Sequence, residues 1–176
     1  MTGGRPGSGE YGASYAGYVS RIGDVDIVST LADQAEEVGD LLDRLHPGGA
    51  AYRYAPGKWS VAEVIGHLAD AERIFGVRAT CIARGETTPL PGFDENDYVA
   101  EGRFDLRTID SLRKEFELLR GANLTMFEAL TDDRWRRAGT TSGASITVRA
   151  LAWIIAGHVD HHLGVLRERY GAVFAA

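Results

Sequence analysis

Cysteine is almost missing from this chain. Its 176 residues include one, Cys81, so no internal disulfide can staple the fold. An excess of positive charge is missing too: 19 Lys and Arg against 25 Asp and Glu give a formal net charge of -6 and a pI near 5.4. A phosphate-binding surface needs clustered basic residues to displace counterions, so nucleic acid is not an expected partner. The apolar run at 150–157 falls far short of the roughly 20 residues that cross a bilayer, and no membrane partner is expected. The opening MTGGRPGSGEYGASYAGY lacks the apolar stretch of a secretory signal, which leaves the cytoplasm as the expected location. Strand signals, internal repeats and low-complexity blocks are scarce or absent.

What is present is apolar content of 44%, enough for one well-buried core in a chain of this length. Residues 1–23 are rich in Gly, Ser and Tyr without periodicity and read as a partly disordered arm, although Tyr11, Tyr15 and Tyr18 could dock its later part. Residues 24–176 read as the domain.

Four long amphipathic stretches follow. Val28, Leu31, Ala35, Val38, Leu42 and Leu45 share one face and predict a first helix over 26–45, stopped by His46-Pro47-Gly48-Gly49. His46 suits that helix C-terminus as a cap. Ser60 with Glu63 three residues later is a capping box and predicts a second helix over 60–84, apolar over a wide arc that includes His67. Residues 86–107 form a long connection with a helical turn or two at 94–100. Its aromatic residues Phe93, Tyr98 and Phe104 make it a candidate lid. Ile109, Leu112, Phe116, Leu119, Asn123, Met126 and Leu130 predict a third helix over 108–130, with Arg113, Lys114, Glu117 and Arg120 outside. Asn123, a buried amide in that seam, would fix register or face a polar site. After a polar loop at 136–146, Thr147 caps a fourth helix that reaches Tyr170. The expected fold is all-α, a four-helix bundle with a long crossover connection.

Chemistry concentrates in GHVDHHLGVL at 157–166. His158 and His162, four residues apart, lie on one helix face and can reach one ion, and His161 falls on the flank. His67 makes a third inward imidazole. Three nitrogen ligands leave a coordination position open, which is the catalytic rather than the structural pattern for zinc. Separate core histidines would each need a donor and an acceptor satisfied. Val159 stands where a metallopeptidase would carry glutamate, so a peptidase is not expected. Asp70, one turn after His67, and His161 are the candidate catalytic proton acceptors. The alternative for Asp70 is a surface pairing with Arg73 or Arg78.

In this order, the stretches GKWSVAEVIGHLADAERIF, TPLPGFDENDY and ITVRALAWIIAGHVDHHLGVLRERY resemble the DinB/YfiT-like family over about residues 11–170. The resemblance implies a four-helix bundle, often a homodimer, with a divalent metal held by His67, His158 and His162, zinc or nickel foremost. It implies a metalloenzyme that activates a low-molecular-weight thiol, as a transferase, or water, as a hydrolase, against a small-molecule electrophile. Thiol transfer stands first by family analogy. The chain departs from the thiol transferases at HHLGVL, where they often show Arg-Gly-Gln after the paired histidines. The alternatives are a non-catalytic metal-binding or stress-related helical dimer, and a metal-free ligand-binding module.

Overall fold

The computed structural model describes residues 3–175, so Met1 and Thr2 of the expected arm and Ala176 of the expected domain lie outside the described residues. Seven helices follow one another in the described chain: α1 (Ala16–Arg21), α2 (Ile27–Asp43), α3 (Val61–Ala83), α4 (Glu95–Gly102), α5 (Ile109–Glu128), α6 (Asp132–Trp135) and α7 (Val148–Arg169). The long ones, α2, α3, α5 and α7, form the bundle. Each starts on a side-chain cap: Asp26 accepts from the Ser29 N–H, Ser60 from Glu63, Thr108 from Ser111 and Thr147 from Ala150. Glu63 also accepts from the Ser60 N–H, closing the capping box. Each such cap is worth about 1 kcal/mol, so local chemistry sets where the helices begin.

The bundle core fills as two clusters, one around Phe75, Phe127 and Trp153, the other around Leu68, Phe116 and Tyr170. Between α2, α3, α5 and α7 runs a buried polar network that corrects the expectation for Arg120. This residue is 0% exposed rather than on the outer face. Arg120 Nη2 donates to Glu72 Oε1 at 2.5 Å, and Nη1 donates to the Leu31 carbonyl at 2.6 Å. Asn123 Nδ2 donates to the Glu72 carbonyl and to Glu72 Oε2, and Gln34 Nε2 donates to the Ala156 carbonyl. The charged positions of α5 look interchangeable in sequence. Arg120 turns inward because the Glu72 carboxylate on α3 and the Leu31 carbonyl on α2 meet it there.

The connection after α3 is pinned to a small sheet. Strands β1 (Ala138–Thr141) and β2 (Ala144–Thr147) pair antiparallel, with Thr141 opposite Ala144. Ser142 (φ 49°) and Gly143 (φ 79°) both take the positive φ that a tight hairpin turn needs. This hairpin corrects the polar-loop reading of 136–146, whose strands are too short and polar to show alternation. Leu90 bridges to Thr141, with the Leu90 N–H donating to the Thr140 carbonyl at 2.8 Å.

The arm is more ordered than expected. Val19 and Ile22 are buried in the core. Glu10 accepts from Arg149 Nε at 2.6 Å and from Thr147 Oγ1 at 2.9 Å, and Trp153 Nε1 donates to the Gly3 carbonyl. A Cβ on Gly157 would lie 2.1 Å from the Tyr18 carbonyl oxygen, so α1 reaches α7 where only glycine admits it. The arm's order comes from partners on α7, which its own composition does not reveal.

Removing one member of a buried ion pair strands the other, at a typical cost of about 3–5 kcal/mol. Arg120→Met should therefore lose about that much stability in urea unfolding, and adding Glu72→Leu should restore most of it. A double variant no more stable than the single one would contradict this account.

Candidate metal centre

Helix α3 carries His67 in its second turn, on the face turned to α7, which carries His158 and His162 one turn apart. All three side chains are buried. One ligand nitrogen from each lies within 4.8 Å of the others, and His67 Nε2 and His158 Nε2 are 2.9 Å apart, sharing one proton as a hydrogen bond. Among the described residues this is the only hydrogen bond the three rings make. A tetrahedral ion with bonds of 2.0–2.1 Å needs nitrogens roughly 3.3 Å apart, so the donor set fits a divalent ion with small ring movements.

Burial holds the rings neutral. It lowers His67 to about 4, with His161 adding to the effect. His158 and His162 are pushed well below the ordinary value, again chiefly by burial and then by neighbouring imidazoles. Arg120, behind His158, pushes the same way. Neutral imidazole is the form that binds metal.

Aromatic groups wall the cluster. Trp59 lies against His67 and stacks over His162, while Tyr18 meets His158 and His161 edge-on at 5.3 and 5.8 Å. The histidines open on a cavity of about 380 Å³, whose lining also includes Tyr15, Phe75, Phe93, Glu95 and Ser142.

The structure brings His67, His158, His162 and the half-buried His161 to this cavity, but not Asp70. The Asp70 carboxylate accepts from Arg73 Nη1 at 3.2 Å, in a surface network with Glu115 and Arg107, and it does not line the cavity. Burial raises its pKa and Arg73 opposes that rise. Three residues beyond His67 is 60° short of a full turn, enough to aim Asp70 at these arginines. The cavity's carboxylate is Glu95, in the first turn of α4, which sequence reasoning missed. Its only signal was its place in the long connection. Of the expected lid aromatics, Phe93 lines the cavity, Tyr98 faces a neighbouring pocket and Phe104 is buried in the core. His46 is exposed at the end of α2, away from the cluster.

Helices with three buried imidazoles at an open cavity define a bundle with a potential metal centre, and comparison with known proteins gives it a family. The DinB superfamily profile matches residues 30–166, and the chain belongs to that superfamily. Among solved structures, it is similar to YfiT from Bacillus subtilis, described as a probable metal-dependent hydrolase with an unusual four-helix bundle topology. The identity is 18% and the TM-score 0.74, over 97% of this chain and 99% of that one. It is similar to a mycothiol-dependent maleylpyruvate isomerase at 16% identity and TM-score 0.66, over 78% of this chain and 58% of that one. It is also similar to the DinB-like protein YjoA from Bacillus subtilis, at 20% identity and TM-score 0.60, over 83% and 90%. Comparison with curated protein sequences gives no significant match. No helix among the described residues is long and apolar enough to cross a membrane.

The buried histidines make stability depend on pH. Between about 6.5 and 4 an unfolded chain takes up a proton at His67 that the folded chain does not. Folding stability of the metal-free protein should therefore be fully present above pH 6.5 and fall as pH drops towards 4. Thermal melts in chelator at pH 7.5, 6 and 5 check this. The slope should flatten in His67→Gln, and an unchanged slope there would contradict it.

Proposed function

We propose that this chain is a metalloenzyme in which His67, His158 and His162 hold one divalent ion, zinc or nickel, at the floor of the cavity. The observation that carries the reading is the convergence of three neutral, buried imidazoles, without a fourth protein ligand among the described residues, on a space large enough for a small-molecule substrate. When bound, such an ion supplies the Lewis acidity that makes water or a thiol nucleophilic at neutral pH.

The chain's own groups supply the rest. Glu95 lines the cavity and is the group we assign to accept the nucleophile's proton, in place of Asp70, with His161 on the flank as the second acceptor. The Tyr18 phenol is a donor available to negative charge developing on the substrate. Trp59 and Phe75 keep water from the cluster's sides, which strengthens the electrostatics within.

Glu95 favours the hydrolytic version, in which a carboxylate takes the proton of the attacking water. Likeness to the mycothiol-dependent isomerase supports the version in which a low-molecular-weight thiol attacks instead. Both share the metal centre and the small electrophilic substrate. A homodimer, which sedimentation would detect, belongs to this reading as well.

Elemental analysis of protein purified without a metal-affinity tag should find about one equivalent of divalent metal in the wild type and in His46→Ala, and almost none in His162→Ala. No metal in the wild type, even after zinc or nickel is added, would overturn the proposal. Loss of a general base typically costs 10²–10⁴-fold. Glu95→Gln should accordingly keep its metal and lose about a hundredfold of any hydrolysis found with activated esters, while Asp70→Asn stays near wild type. Equal losses in the two variants would remove Glu95 from its role.

A further inference from the structure

Arg78 is 3% exposed, yet among the described residues no carboxylate lies within ion-pair distance of it. The contrast is Arg120, as deeply buried and neutralised by Glu72. Arg78 Nη2 donates to the Pro91 carbonyl at 2.7 Å and reaches Ser142 Oγ at 3.4 Å, while Nη1 is buried with no partner among the described residues. The guanidinium lies over the rings of Phe75 and Phe93 at 5.6 and 5.7 Å. These contacts offset part of its desolvation. A permanently charged group left otherwise unpaired in a dry place remains costly, and an anion would remove that cost.

The surroundings are a site rather than a filled core. Arg78 lines a pocket of about 220 Å³ between α3, residues 90–93 and α4, whose walls apart from Arg73 are largely apolar: Ile74, Val77, Leu90, Phe93 and Tyr98. Behind the same wall, Thr141, which bridges to Leu90, has a buried hydroxyl with no partner among the described residues. This pocket adjoins the histidine cavity, because Phe93 lines both and Ser142, a contact of Arg78, lines the latter.

We infer that this pocket is a binding site for a carboxylate on a short apolar body, with Arg78 pairing the carboxylate and the apolar walls covering the chain. A guanidinium fork matches two carboxylate oxygens, and the lining's other guanidinium, Arg73, is already paired with Asp70 and Glu115, which leaves Arg78 to take the anion. Joined to the adjacent cavity, the pocket makes the substrate of the proposed reaction an organic acid whose electrophilic end faces the histidines. That use rests on the metalloenzyme reading, whereas the pocket itself does not.

The test is a titration of the full chain with hexanoate and benzoate, each against its primary amide, followed by NMR or calorimetry. It is run on protein as purified and after chelator treatment, since a bound ion would attract carboxylates by itself. Each acid should bind at least tenfold more tightly than its amide in both preparations. Arg78→Met should bring acid and amide within about twofold while leaving amide binding in place. Should that variant fail to fold, Val77→Glu, which adds a negative charge at an exposed position of the pocket rim, should weaken the acids and spare the amides. No preference for acids after chelation, a preference that survives both Arg78→Met and Val77→Glu, or inorganic phosphate binding as well as hexanoate would overturn the inference. Preference for acids in a protein that holds no metal would leave this site standing and remove the metalloenzyme reading. Metal without that preference would do the reverse.

Discussion

The Glu72–Arg120 pair, with Gln34 and Asn123, is the interaction on which the arrangement of the long helices depends. Apolar seams hold helices together, but they tolerate sliding and rotation at modest cost, because the hydrophobic effect is non-directional. Buried charged hydrogen bonds do not tolerate it, since a small shift leaves a donor or acceptor desolvated and unpaired. Here α2 receives Arg120 at the Leu31 carbonyl, α3 supplies Glu72, α5 supplies Arg120 and Asn123, and α7 receives Gln34 at the Ala156 carbonyl. Each of the bundle helices is tied to the same point.

That point sits two residues before His158. The network therefore sets how α7 lies against α3, and with it the 2.9 Å separation of His67 Nε2 and His158 Nε2. Electrostatics work in the same direction. Burial keeps the rings neutral and their lone pairs available, and at His158 the Arg120 cation adds to it. Apart from the bond between His67 and His158, the rings are uncompensated among the described residues, a burden a shared ligand removes.

The cavity owes its shape to segments with weak structural signals of their own. The arm contributes Tyr15 and Tyr18 because Gly157 lets α1 approach and Arg149 clasps Glu10. The long connection contributes Phe93 and Glu95 because the hairpin holds Leu90 in a bridge and Arg78 holds Pro91. Rigid helices thus present the imidazoles, while loops pinned at a few polar contacts supply the walls, a division of labour common in binding sites.

The sequence by itself determined what local physics controls. Capping residues at 60 and 147, with the apolar stripes of all four long helices, put the bundle helices within two residues of their observed ends. A four-residue spacing placed His158 and His162 on one face, and the inward stripe of α3 singled out His67. Only the tertiary structure decided which other groups join them. Asp70 is one turn from His67 but is drawn to Arg73, while Glu95 and Tyr18, remote in the chain, line the cavity. Arg120 reads as a surface charge until Glu72 is seen opposite it, and the hairpin at 138–147 has too few residues to announce itself. Those outcomes depend on which faces meet after the chain has folded, and charge pairing across helices carries no periodic signature in a single sequence.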